Sequence, residues 1–346
     1  MNKIFLITGA NGHLGSAICA YLSERCEKVR ALVLPNEKTD FLESIGVEIC
    51  HGDVREKADL QRFFQGTEGM ERYVIHAAGI VDIATEHSDR MTDVNVNGTK
   101  NVLAVCRECG VKRLVYVSSV HAIPERAKYR VIEECRRFDP DKVVGAYAKT
   151  KAEATQAVLD AVADGLDAVV VHPSGILGPY LGDGNYLVQM VENYVNGKLP
   201  IIVRGGYDFV DVRDCAFGCV QAALQGKTGE CYILSNRYYE IRDLFRIMRE
   251  MTNGKRFGIV SLKLAKAFAP MCASAAKRKG KKPLYTKYSL YTLTANGTFS
   301  HDKATAELNY RPREIYETLA DTVQWLKAHG KILARKAVKI KRTASC

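Results

Sequence analysis

The stretch "LITGANGHLGSAICAYL", Leu6 to Leu22, joins a short apolar run to three glycines and then to an apolar-patterned helix. Gly9, Gly12 and Gly15 stand directly after the run, where glycine lets the backbone turn tightly and approach a ligand closely. A helix starting at such a turn aims its free N–H groups and the positive end of its dipole at one place. The pattern therefore predicts a cradle for a diphosphate. Asn11, His13 and Leu14 lie inside it, with His13 placed to face the phosphates or to stand as a surface histidine. The G-x-x-G-x-x-G spacing differs from the commoner G-x-G-x-x-G fingerprint, so the strand–turn–helix context carries the reading.

Working outward, "KIFLITG", "VRALVL", "VEICHGD", "RYVIHAAG", "RLVYVSSV" and "DAVVVHPSG" alternate with helical stretches. Near-continuous apolar runs separated by helices are strands buried on both faces, which predicts a Rossmann-type, doubly wound parallel α/β sheet. Residues 1–172 make up this dinucleotide-binding part. After Pro173 the rhythm becomes irregular, and residues 173–330 read as a smaller, mostly C-terminal substrate-binding subdomain. The two parts interleave. "FVDVRDCAFGCVQAAL" (209–224) reads as a strand end and a helix returning to the sheet, with 209–236 belonging to the first part. "LKLAKAFAPMCASAAKRKG" (262–280) is a helix-compatible stripe, either a lid or a packed helix, and an amphipathic helix closes the fold before 330.

The chain has 346 residues, 47% hydrophobic and 26% charged, as a folded globular protein requires. Its first apolar run is short and ends in glycine, unlike a signal peptide, and no run is long enough to span a bilayer. Eleven irregularly spaced cysteines do not form a secreted disulfide framework, and a cytoplasmic location fits them. Cys106 and Cys109 form the one C-x-x-C; without a second pair they read as packed thiols, and no metal is expected. The formal charge of +11 is concentrated in 277–287 and in the tail 331–342, each with six Lys/Arg and no acid, so the remaining body is close to neutral. Such clusters are solvated surface or contacts to an anionic surface.

The end of the second strand selects between cofactors, since an acid there binds a ribose 2′-hydroxyl and a base accommodates a 2′-phosphate. Leu34 and Pro35 occupy that place. Lys38 or Arg30 is within reach of a phosphate and Glu37 or Asp40 of a hydroxyl, and the stretch leans to NADP over NAD. Asp53, with Val54 beside it, is placed to touch an adenine. Ala77, Ala78 and Gly79 end the fourth strand beside the cofactor, where His76 reads as structural.

"GAYAKTKAEA" (145–154) sets Tyr147 and Lys151 four residues apart, hence on one helix face, as surface decoration or as an acid/base pair. With the glycine loop, "HAAG", "NVNGTKNVL", "VYVSS", Tyr147-x-x-x-Lys151, "ILGP" and "FVDVRD" in order, the chain resembles the extended short-chain dehydrogenase/reductase family over nearly its whole length. Within it, the chain is most similar to the dihydroflavonol reductase and 3β-hydroxysteroid dehydrogenase-like branch. "HPSGILGP" resembles that branch's R-P-x-x-I-x-G-P strand end, with His172 in place of arginine. It carries Gly175 where sugar-nucleotide epimerases usually have asparagine.

The resemblance implies roles. Tyr147 is the acid/base, Lys151 holds the nicotinamide ribose, Ser119 bonds the substrate oxygen, and Asn95 supports the lysine. His172, Pro173, Gly175 and Ile176 fall at the cofactor. His121, Tyr180, Asn185, Tyr186 and Tyr207 are candidate substrate contacts, as is Arg213. The chemistry agrees, because a phenol of pKa about 10 needs a neighbouring cation to work near neutrality. The implied activity is NAD(P)(H)-dependent interconversion of a carbonyl and an alcohol on a small, moderately hydrophobic molecule. Alternatives are a nucleotide-sugar epimerase or dehydratase and a non-catalytic NAD(P)-binding regulator. A homodimer through the Tyr147 helix is compatible with the resemblance and not required by it.

Overall fold

A computed structural model describes residues 2–332 apart from 83–87, 129, 181–183, 268, 270 and 272–285. The tail from 333 and most of the basic stretch 277–287 lie outside the described residues, as does the 262–280 stripe beyond 271.

Six strands form at the six apolar runs: β1 (Lys3–Thr8), β2 (Lys28–Val33), β3 (Glu48–His51), β4 (Glu71–His76), β5 (Arg113–Val117) and β6 (Ala168–Pro173). Two short strands follow, β7 (Gly175–Leu177) and β8 (Ile201–Val203), then β9 (Gly206–Asp211), β10 (Cys231–Leu234), β11 (Arg237–Glu240) and β12 (Gly258–Val260). The main sheet has the order β10-β6-β5-β4-β1-β2-β3 with every pair parallel. Its order reverses between β1 and β4, and open α/β sheets bind their ligands at such a reversal.

Alternate strand residues supply the two cores. Phe5 and Ile7 of β1, with Val115, Val169 and Tyr232, pack under the helices His13–Ser23 and Val212–Gln225. Ile4 and Leu6, with Val74, Tyr116, Val170 and Ile233, pack under Lys57–Phe64, Gly98–Cys109 and Ala146–Ala163. This burial on both faces is what the uninterrupted apolar runs require.

The return to the main sheet begins one element later than the sequence suggests. Residues 206–211 pair with β7 and β11 in a separate three-stranded sheet, and only the helix Val212–Gln225 and β10 rejoin the main one. Ala304, Leu308 and Tyr310 also pack into the first core, so the chain crosses back again near its end. A third core, built from Tyr186–Val195, Ile241–Thr252 and Ile315–Ala328, underlies the smaller sheet. Leu262, Ala265 and Ala269 pack against Val203 and Leu290, so the described part of the 262–280 stripe is a packed element. Among the described residues no helix is long and apolar enough to cross a membrane.

The glycine turn is held by contact. Gly9 has φ +66°, and a Cβ added there would stand 2.5 Å from the Ala78 nitrogen. A Cβ on Gly15 would stand 2.1 Å from the Gly9 carbonyl oxygen. Both obstacles are backbone and cannot swing aside. Gly15→Ala is expected to destabilise the fold by roughly 3 kcal/mol, read as a lower denaturant midpoint at unchanged slope. An unaltered midpoint would show that the turn has slack.

Candidate active site

A cavity of about 680 Å³ opens where β1 and β4 end, with the glycine loop at one end and the smaller sheet at the other. Gly9, Gly12, His13, Leu14 and Gly15 line the first end. A Cβ on Gly12 would meet only the Gly9 oxygen, at 3.2 Å, so the side facing the cavity is open. The helix His13–Ser23 starts there with no acidic residue in its first turn, and the Asn11 Oδ1 is buried without a hydrogen-bond partner. An open glycine edge and a helix N-terminus free of acids suit a dinucleotide diphosphate, while the Asn11 Oδ1, an acceptor, suits a donor such as a ribose hydroxyl.

His13 takes part in a clasp. Its Nε2 donates to the Pro179 carbonyl at 2.8 Å, and its Nδ1 accepts from Asn185 Nδ2 at 2.8 Å, so the ring is the neutral Nε2–H tautomer. Asn185 in turn donates to the Ile176 carbonyl and caps the helix Tyr186–Val195 by accepting from the Leu187 and Val188 nitrogens. Burial holds the His13 pKa below its ordinary value. The glycine loop and the opposite wall are thus joined by side chains 172 residues apart in sequence.

Tyr147 and Lys151 rise from the helix Ala146–Ala163 into the middle of the cavity, both buried. Lys151 Nζ donates to the Val117 carbonyl at 2.7 Å and lies 4.9 Å from the centre of the Tyr116 ring. Burial alone lowers its pKa from 10.5 to about 7. Burial also raises the Tyr147 phenol to about 12, against a lowering by the Ser119 side-chain hydrogen bond. Burial outweighs the Ser119 bond, so the phenol is held protonated. Ser118 and Ser119 both border the cavity, and the Ser118 hydroxyl is taken up by Thr155 at 2.6 Å.

Asn95 lies in a π-helical stretch, Asp93–Asn97. Its Oδ1 accepts from the Ile80 nitrogen at 2.7 Å, and its Nδ2 donates to the Ile80 carbonyl and to Thr150. The Asn95 oxygen and the Lys151 nitrogen close on Gly79 from either side, 3.3 and 3.4 Å from where a Cβ would stand. Asn95 therefore fixes the strand end against the Lys151 helix, with no direct bond to the lysine among the described contacts.

Beyond Tyr147 the wall is aromatic. His121 stacks on Tyr207 with ring centres 5.6 Å apart and its Nε2 hydrogen-bonds the Tyr207 hydroxyl at 2.8 Å. The same imidazole meets Tyr147 edge-on at 6.2 Å and Tyr288 at 5.9 Å, and burial lowers its pKa to about 4. Asn185 and Tyr186 also line the cavity, with Leu187, Met190, Val203, Phe209, Ile241 and Leu293 making its far end apolar. Tyr288 and these apolar residues escaped the sequence reading. The only local signal near Tyr288 is the cap Thr286, which begins its short helix.

Several expected contacts are elsewhere. His172 is fully buried behind Ser119, stacked on Phe138 and bonded through Nδ1 to the Ser119 carbonyl at 3.0 Å. It supports the serine from behind, while Pro173, Gly175 and Ile176 do line the cavity. Asp53 is paired with Arg55, Val54 is buried against Gly98, and Ala78 packs into the second core beside the cavity-lining Ala77. Tyr180, at φ +77°, turns onto Phe41, and Arg213 is held by Asp211 and Asp321. Arg30 donates to the Phe63 and Gln65 carbonyls and pairs with Glu48, and Lys38 is exposed outside the lining that includes Glu37. His76 is clamped between Thr8 and Thr99, as a structural residue is.

The architecture is that of a dinucleotide-binding α/β enzyme, and comparison with known proteins defines its class. The NAD dependent epimerase/dehydratase family matches residues 5–235, and the chain belongs to that family of NAD-dependent enzymes. A Synechocystis sp. protein provisionally named dihydroflavonol 4-reductase is 28% identical over 95% of this chain and 96% of its own. Sterol demethylase protein B of Methylococcus capsulatus is 28% identical over 94% of this chain and 99% of its own. The crystal structure of gox2253 superposes with a TM-score of 0.82 at 29% identity, covering 96% of this chain and all of that one.

Two outcomes follow from this geometry. Asn185→Ala removes both a helix cap and the His13 partner, and is expected to cost roughly 1 kcal/mol in a denaturation experiment. Lys151 keeps its proton to about 10.5 when unfolded and to about 7 when folded, so stability rises with pH across that window. Lys151→Met should stabilise the protein at pH 7 by roughly 1–3 kcal/mol and by much less at pH 10. A pH-independent difference would remove the buried-cation argument.

Proposed function

We propose that this protein is an NAD(P)(H)-dependent oxidoreductase that interconverts a carbonyl and an alcohol on a small, largely apolar molecule. One observation carries the reading: a phenol, a serine hydroxyl and a buried ammonium meet in the middle of a cavity, between the glycine loop at one end and a mostly apolar wall at the other. The main sheet serves the dinucleotide and the part after Pro173 serves the substrate. The glycine loop, the helix N-terminus at His13 and Lys151 would hold the cofactor, which when bound supplies or takes the hydride.

In the reduction direction the Ser119 hydroxyl holds the carbonyl oxygen by hydrogen bonding, and Tyr147 delivers its phenolic proton to that oxygen. The phenolate left behind keeps the Ser119 hydrogen bond, which favours it. The Lys151 cation on the same helix face lowers its cost further. Asn95 and His172 keep the lysine helix and the serine in place, the first through Ile80 and Thr150, the second through the Ser119 carbonyl. The lean to NADP rested on Arg30 and Lys38, and neither faces the cavity. Glu37 lines it, which supports NAD through the ribose 2′-hydroxyl and disfavours a 2′-phosphate.

A nucleotide-sugar substrate fits less well. A Cβ on Gly175 would stand 2.8 Å from the Tyr207 ring, so the asparagine usual in those epimerases has no room here. Lys151 is also the only Lys or Arg among the described lining residues, leaving no second cation for a nucleotide diphosphate. The names of the dihydroflavonol and sterol relatives point likewise to apolar substrates. A regulator without turnover needs no such convergence of Tyr147, Ser119 and Lys151.

Tyr147→Phe is expected to lower kcat/KM by about 10²–10⁴-fold with cofactor binding retained. Retained turnover would defeat the assignment. The wild-type kcat/KM should fall as pH rises through about 7, where free Lys151 loses its proton. NADH should be preferred to NADPH, and its absorbance should decline steadily, since an epimerase would regenerate it.

A further inference from the structure

The ion pairs of this molecule are unevenly spread. Exposed cations such as Lys57, Arg107 and Arg126 each meet a carboxylate. Between Glu250 and Asp302 the chain has ten Lys/Arg and no acid. The described cations of that segment, Lys255, Arg256, Lys263, Lys266 and Lys287, are all exposed, and none makes an ion pair among the described residues. An exposed apolar stripe stands in their midst. Residues 262–267, 269 and 271 are helical, and Leu262, Ala265 and Ala269 turn inward onto Val203 and Leu290. Leu264, Ala267 and Met271, at i, i+3 and i+7, form one outward stripe, with Leu264 47% and Met271 62% exposed. Val203 lines the cavity. The same helical stretch therefore has the apolar end of the cavity on its inner side and the stripe, with Lys263 and Lys266, on its outer side.

We propose that this outward face docks on the surface of an anionic phospholipid bilayer, Leu264 and Met271 entering the headgroup boundary while the lysines around them meet lipid phosphates. Helices that lie in the plane of a membrane have this make-up, apolar side chains flanked by Lys and Arg. Other occupants use the face less well. A nucleic acid would draw on the cations and leave Leu264 and Met271 in water. A second copy of this chain, docked about a two-fold axis, would bring the acid-free segment against itself. Lipid uses both the charge and the hydrocarbon. The proposal goes beyond the oxidoreductase reading and does not depend on it. Joined to that reading, it brings an apolar substrate dissolved in the bilayer to the wall behind which Val203 lines the cavity.

The experiment is sedimentation of the full chain with vesicles of phosphatidylcholine alone and of phosphatidylcholine mixed with an equal part of phosphatidylglycerol. The mixed vesicles should bind about tenfold more tightly or better, and added salt should weaken the binding. Leu264→Ser combined with Met271→Ser keeps every charge and should weaken it about tenfold. Lys263→Gln combined with Lys266→Gln should weaken it by about the same factor on mixed vesicles and leave phosphatidylcholine alone unchanged. All four side chains are exposed, so both variants should melt with the wild type. Absence of wild-type binding to mixed vesicles overturns the proposal. Binding that is unchanged in the serine pair assigns adhesion to basic charge elsewhere in the chain, and also overturns it. Should the serine pair melt lower, the glutamine pair decides, and undiminished binding there overturns the proposal. Tighter binding to a DNA duplex than to mixed vesicles makes the face a nucleic-acid contact, and a dimer that the serine pair dissolves makes it a face between copies; either result overturns the bilayer assignment.

Discussion

A cation buried without a carboxylate is the constraint around which this site is organised. Lys151 has the Val117 carbonyl, the Tyr116 hydroxyl at 3.4 Å and the Tyr116 ring for company, and none compensates a full charge removed from water. The resulting pull toward neutrality acts on its neighbour in the opposite direction, keeping the Tyr147 proton on. Burial thus drives both groups uncharged, and the pair becomes a polar device only when a ligand fills the cavity with its own dipoles. The family logic of a lysine that acidifies a tyrosine is half visible here: the lysine is in place and destabilised, ready to profit from anything electron-rich set beside it.

The second requirement is that the two ends of the cavity keep their distance. The glycine loop of the main sheet and the wall of the smaller part are joined by the clasp of His13 with Pro179 and Asn185. The clasp is directional, since a neutral Nε2–H imidazole is the one form that can donate to Pro179 while accepting from Asn185. It also passes information along the chain. The same Asn185 side chain that meets the phosphate loop begins the helix that carries Tyr186, Leu187 and Met190 into the substrate end. Rigid spacing between hydride donor and acceptor depends on such cross-braces, because a small error in approach is costly in rate.

The sheet was readable because buried parallel strands leave runs that nothing else produces, and the glycine turn because only glycine tolerates the contacts Gly9 and Gly15 make. Tyr147, Lys151 and Ser119, read from the sequence as part of one set, line one cavity, with Asn95 behind Gly79. His172 and Tyr180 lie outside the cavity lining for a shared reason: strand ends and the loops after them bring residues near a site without fixing which way they point. His172 is two residues from Ser174 on the same strand end, yet it faces Phe138. The far wall was illegible in principle. Met190, Val203, Ile241 and Tyr288 come from four separate elements of the smaller part, and no local pattern records that they share a space.

That wall settles how selectivity works in such a cavity. Apolar surface discriminates weakly, at about 1–3 kcal/mol for a methylene, so shape alone would leave a permissive pocket. Polar groups sharpen it only if they are left unpaired when the wrong molecule enters, and most of those here are already satisfied by one another. His121 and Tyr207 close on each other, Asn185 on His13, Asn95 on Ile80. On the proposed reading, discrimination is therefore concentrated in very few hydroxyls, those of Tyr147 and Ser119. A mostly apolar wall with so short a polar edge would, on that reading, fix the reacting oxygen and leave the rest of the substrate to be selected by volume.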